Sequence, residues 1–83
     1  MSNQYQELEF SQLKELASTG NAQAQYEMGQ RYDTGTGGAR ESMILALHWY
    51  NQSIAQGHAE ARIRRDAIRE KNRREWEALW KKK

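Results

Sequence analysis

Gly20-Asn21-Ala22-Gln23-Ala24-Gln25 returns, 37 residues further on, as Gly57-His58-Ala59-Glu60-Ala61-Arg62. A period in this range marks a helical-hairpin solenoid, in which each unit buries its faces only against its neighbours. Both copies open on glycine. That residue suits the left-handed position just past a helix end. Asn21, which follows the first, can cap the next helix with its short side chain. The repeated bend therefore predicts helix, stop, helix, twice over.

On either side of these bends, glycines divide the 83 residues into four helical segments. The first, about 5–18, carries Leu8, Phe10, Leu13, Leu16 and Ala17 at mixed spacings of three and four. The second, about 22–33, holds Ala22, Ala24, Tyr26, Met28 and Tyr32, with Gly29 in its interior. A mid-helix glycine costs about 1 kcal/mol against alanine. Its presence predicts a second helix passing where a Cβ would clash. The loop from Asp33 to Arg40 has three glycines in four residues, as a sharp reversal requires. The third helix, about 42–56, starts at a Ser42 cap. Its inward stripe is expected to be Met43, Ala46, Leu47, Tyr50 and Ile54, with Trp49 on the flank. The fourth, about 58–80, runs from Ala59, Ala61 and Ile63 through a charged middle to Trp76, Leu79 and Trp80, and Lys81-Lys82-Lys83 is expected to fray.

The stretch 22–61 resembles a Sel1-like repeat, a relative of the tetratricopeptide repeat. The likeness rests on Ala22-Gln23-Ala24 leading to Met28-Gly29-Gln30-Arg31-Tyr32, on the Gly35-Thr36-Gly37 turn, on Ala46 three before Trp49-Tyr50, and on Gln56-Gly57-His58-Ala59-Glu60-Ala61. The departures are Met28 for the usual leucine, Ser53-Ile54 for two alanines, and Gly38 as an extra loop residue. The next copy fails after Ala61: Arg65, Asp66 and Arg69 stand where Met28, Gly29 and Tyr32 would recur. The resemblance implies one full repeat hairpin over 22–56, between a capping helix over 5–18 and a C-terminal helix over 58–80, in a single domain over 1–83. It also implies adaptor or scaffold work. The fold class expected is all-α: a short α-α superhelix of about four antiparallel helices, ending in a long basic one.

Composition agrees. Proline and cysteine are absent, so helices go unbroken and no disulfide or thiolate metal site exists. No apolar run nears the roughly 20 residues of a membrane span. Met1-Ser2-Asn3-Gln4-Tyr5-Gln6-Glu7 lacks the basic and apolar regions of a secretory signal, so the expected address is cytoplasmic. The net charge of +2 hides an asymmetry: residues 1–61 carry three cations against seven acids, a net of −4, and residues 62–83 carry ten against four, a net of +6. Such a dipole suits either the steering of partners or head-to-tail self-association.

Motifs of chemistry do not accumulate. Asp33-Thr34-Gly35 spells the aspartic-protease triplet, but that chemistry needs two carboxylates sharing a proton on a β-scaffold. Gly35 to Arg40 fits neither the dinucleotide fingerprint nor the Walker loop. His48 and His58 sit on different elements, and no serine has an identifiable catalytic partner. The expectation is a non-enzyme without cofactor or metal. It binds another protein, as an adaptor, a scaffold or an inhibitor-type binder whose acidic body would suit a basic target, or a second copy of itself, on two surfaces. One is the groove between repeat helices near Tyr26, Arg31, His48 and Trp49; the other is the stripe Ile68, Trp76, Leu79 and Trp80. Tryptophan beside arginine is typical of binding hot spots. The alternative is a small nucleic-acid binder that uses Arg65, Arg69, Arg73 and Arg74, with the tryptophans stacking on bases. Against it, Arg62–Asp66, Glu70–Arg74, Lys71–Glu75, Arg73–Glu77 and Glu77–Lys81 stand four apart, as in a self-neutralised solvated helix. The charged face also lacks the wide apolar opposite that membrane contact requires.

Overall fold

The computed structural model describes residues 4–81; Lys82 and Lys83, expected to fray, lie outside them. A 3-10 turn, Gln4–Glu7, precedes four helices: α1 Phe10–Ser18, α2 Ala22–Thr34, α3 Met43–Ile54 and α4 Ala59–Lys81. The chain is all-α, with no strand among the described residues. Lys81 closes α4 rather than fraying from it.

The two glycine bends are the same structure. Gly20 and Gly57 take φ of 102° and 87°. At the first, the Gly20 and Asn21 N–H groups donate to the carbonyls of Ala17 and Leu16; at the second, those of Gly57 and His58 donate to Ile54 and Ser53. Both are Schellman stops, which satisfy carbonyls that the ending helix leaves free. The caps that follow also correspond. Asn21 Oδ1 accepts from the Ala24 N–H at 2.9 Å, and His58 Nδ1 accepts from the Ala61 N–H at 3.1 Å. Accepting through Nδ1 leaves the ring proton of neutral His58 on Nε2, 3.0 Å from Gln23 Oε1. His58 also stacks on Tyr26 at 4.5 Å between ring centroids. It is a packing histidine.

Two clusters make the core. Leu13, Ala17, Ala24, Met28 and Trp49 join α1, α2 and α3. Tyr26, Ala46, Tyr50 and Ala61 join α2, α3 and α4, with Ile68 against their edge. At Gly29, α2 and α3 approach closely: a Cβ there would lie 2.5 Å from the Tyr50 ring. Ser53, fully buried, donates to the Ala22 carbonyl at 2.8 Å and ties the end of α3 to the start of α2. That bond gives Ser53 a role that an alanine could not fill.

Three expected core positions are corrected. Trp49, expected on the flank of α3, is buried, whereas Met43, expected inward, is 44% exposed. Alpha3 is covered on two sides, so its buried arc is wider and rotated from the single stripe expected. Met43 stands at its open end. Leu16 is likewise exposed, because only Leu13 and Ala17 of α1 face α2.

Burial pushes the Glu27 carboxyl above its usual range, with Arg31 pulling the other way. The folded chain therefore holds this proton more tightly than the unfolded one. This group's contribution to stability is present below the ordinary carboxylate range and is lost as pH rises through the raised folded value. Glu27→Gln should flatten the melting temperature against pH between neutrality and the carboxylate range, relative to the parent chain. Identical slopes would refute the assignment.

Candidate functional site

Alpha4 has 23 residues and α3 has 12, so at 1.5 Å per residue α4 is longer by about 16 Å. The two run antiparallel from the Gly57 bend. The first half of α4 packs on the body and the second half continues past it, in a molecule 47 Å long and about half as wide. Ala61, Arg65, Ile68, Asn72, Glu75 and Leu79 alternate in steps of four and three and so share one face. That face is buried at Ala61, half-buried at Arg65 and Ile68, and open from Asn72 onward. Trp76 and Trp80 flank its open half. Trp76, Leu79 and Trp80 are 64%, 65% and 73% exposed, and the tryptophans with Glu77 line a shallow concavity of their own.

A groove opens where the body ends. The start of α3 supplies Met43 and the preceding loop Glu41; α2 supplies Asp33; α4 supplies Ile68, Lys71, Asn72 and Glu75. Met43 and Ile68 give it apolar lining, and Asp33, Glu41 and Glu75 make most of its charged lining acidic, beside Lys71. Asp33 accepts from the Tyr50 hydroxyl at 3.1 Å. Burial, reinforced by the Asp33 charge, pushes the Tyr50 phenol far up, so it stays a donor. Ile44, at the start of α3, adds exposed apolar surface nearby in sequence. The spacing of α4 made its open face legible. The α2 and α3 contributions had no sequence signal, because only the fold brings them to α4.

Of the first expected surface, Tyr26 and Trp49 are buried in the core and Arg31 is buried beside it. Tyr26 lies between Tyr50 and His58. Arg31 donates through Nη1 to the Gly37 carbonyl at 3.0 Å, and through Nη2 to those of Tyr5 at 3.1 Å and Leu8 at 2.6 Å. One guanidinium thus clasps the glycine loop to the N-terminal segment. Side chains so engaged offer no docking face. His48 alone of that set is exposed; it pairs with Gln52 at 2.7 Å and meets Trp49 edge-on. The glycine loop seats on its own chain: a Cβ at Gly37 would lie 2.8 Å from Arg31, and one at Gly38 would lie 2.9 Å from Phe10.

The arginines of α4 are largely engaged by neighbours. Arg73 pairs with Glu70 at 2.7 Å and Glu77 at 2.9 Å, and Arg74 with Glu70 at 3.3 Å. Arg73 holds the Glu70 carboxyl below its usual range. Asp66 pairs with Arg65 at 3.2 Å rather than with Arg62. Arg65 also reaches Asn51 at 3.4 Å. Arg69 lies exposed on α4. Such pairing lowers the charge that the helix can present to phosphates. Among the described residues, no three His, Asp or Glu gather to hold a metal ion, and no helix is long and apolar enough to cross a membrane.

The chain is thus an all-α protein of antiparallel helices with an aromatic-tipped terminal helix. Over 56 residues, 68% of its length, it is 36% identical to chitin synthase regulatory factor 4 of Schizosaccharomyces pombe. It spans only 8% of that protein's length. No family model and no solved structure matches the chain.

Proposed function

We propose that the chain is a non-catalytic protein-docking module of the Sel1-like type, with a regulatory or adaptor role in the cytoplasm. The open half of α4 is the observation that carries this. Two tryptophans and a leucine stand in solvent on a helix whose first half is packed, and rigid aromatic area of this kind is what binding hot spots use. The equivalent bends at Gly20 and Gly57 support the repeat reading. The name of the partial relative, a regulatory factor, supports the functional one.

Tagged chain used for affinity capture from its native lysate should retain protein, and Trp76→Ala with Trp80→Ala should release most of it. Both residues are exposed, so helical content by circular dichroism should hold. Unchanged capture by the double variant overturns the assignment of the surface. Retention of duplex or single strands at low salt, lost steeply as salt rises, would instead favour the nucleic-acid reading of Arg65, Arg69, Arg73 and Arg74.

A further inference from the structure

We propose that the partner docked on this surface is a basic amphipathic helix. It lies along α4 from Asn72 to Leu79 and sends a lysine or arginine side chain into the groove at the end of the body. The inference rests on the docking reading above and names the chemistry of what docks. Three observations carry it.

The first is what the open face of α4 can offer. From Asn72 onward it is exposed, and its N–H groups are spent within the helix. An extended peptide finds no backbone donor there. Recognition must run through side chains, with Leu79 and Trp76 as the apolar ground, and an amphipathic helix is the segment that lays an apolar stripe on such a surface. The length that α3 leaves uncovered is about 16 Å, or roughly three turns.

The second is the size and lining of the groove. It holds about 170 Å³, room for a side chain but not for a helix. Met43 and Ile68 line it with apolar surface, and Asp33, Glu41 and Glu75 with carboxylates. Lysine and arginine join an apolar stem to a cationic head. Either can rest its stem on Met43 and Ile68 and bring its head to the acids.

The third is which carboxylates α4 and the body leave unpaired. Asp66, Glu70 and Glu77 share the opposite face of α4, and each pairs with an arginine. Asp33 accepts from the Tyr50 hydroxyl, and its charge reaches Arg64. Glu41 and Glu75, on the groove, form no ion pair with a described residue. Lys71 is the cation lining the groove, one against three carboxylates. Lys81 lies six residues past Glu75, about 9 Å along the helix and so beyond a Debye length of about 8 Å at physiological salt. The groove therefore keeps a net negative field although the segment around it is basic.

Selection on the full chain, from a displayed library of helical peptides randomised along one face, tests this. The recovered sequences should carry lysine or arginine beside an apolar stripe. Synthetic copies should shift the tryptophan emission to the blue on binding. Glutamate in place of their basic residue should weaken binding by roughly tenfold or more. On the chain carrying Glu41→Lys and Glu75→Lys the order should reverse, with the glutamate peptide the tighter. Both positions are exposed, so helical content should hold. Binders without a basic preference, a preference unchanged in E41K/E75K, or no binder at all overturns the proposal. If the binders are neutral or acidic but are released by Trp76→Ala with Leu79→Ala, the docking reading stands and only the basic partner falls. A parent chain that sediments as a dimer, dispersed by the same two substitutions, makes the occupant a second copy and also overturns the proposal.

Discussion

Gly29→Ala should unfold this protein at a much lower temperature than the parent. On an exposed helical site the exchange would stabilise by up to about 1 kcal/mol, because alanine is the better helix former. Here the new Cβ arrives 2.5 Å from two carbons of the Tyr50 ring. That ring cannot swing aside. It is fully buried, and its hydroxyl is held by Asp33 at 3.1 Å. Relief must come from parting α2 and α3, which opens the second core cluster along its length. Overpacking of this kind costs about 1–3 kcal/mol, occasionally more, and the effect here belongs at the upper end because two helix backbones must move. At about 4–8 °C per kcal/mol for a domain of this size, the net loss should appear as a fall of roughly 10 °C or more. Tyr50→Leu, itself destabilising, should make Gly29→Ala much less harmful, a coupling that a double-mutant cycle reads directly. Strict additivity would show that the two residues do not meet as described.

Arg31→Ala is expected to be comparably costly, by a different route. The guanidinium bridges the Gly37, Tyr5 and Leu8 carbonyls from a buried position. Truncation removes charged hydrogen bonds, worth about 1.5–3 kcal/mol each to stability, and leaves their acceptors to find water. A net loss of about 2–4 kcal/mol follows, since water reaches some of the freed carbonyls. The loss should also be local. Hydrogen exchange should quicken first in residues 4–9 and in the glycine loop, while α2 and α3 keep their protection. Arg31→Lys should recover little, because a single ammonium lacks the planar fork that reaches Gly37 on one side and Leu8 on the other. Full protection of residues 4–9 in Arg31→Ala would refute the clasp.

Much of this architecture was legible in the sequence, for reasons that are local. Asn21 and Ser42 cap their helices as their side chains suggest, with Ser42 Oγ accepting from the Leu45 N–H at 3.2 Å. Gly29 announced a close helix crossing because nothing in the helix itself favours glycine there. What escaped was the use of side chains across elements. Arg31 carries the composition of an exposed binding residue, since arginine is rarely buried, and its four carbonyl acceptors come from segments up to 26 residues away. Trp49 and Met43 exchange their expected roles because α3 has two neighbours, and a stripe read from one helix assumes one.

The amino-acid order by itself determined the four helices, their two matching bends and the charge imbalance, because caps, left-handed glycines and side-chain period act within a few residues. The tertiary structure alone decided which aromatic and charged groups serve the interior and which meet solvent. Burial depends on what lies opposite. Tyr26, Arg31 and Trp49 have another helix, loop or segment of the chain across from them, whereas Trp76, Leu79 and Trp80 stand on α4 past the point where α3 stops.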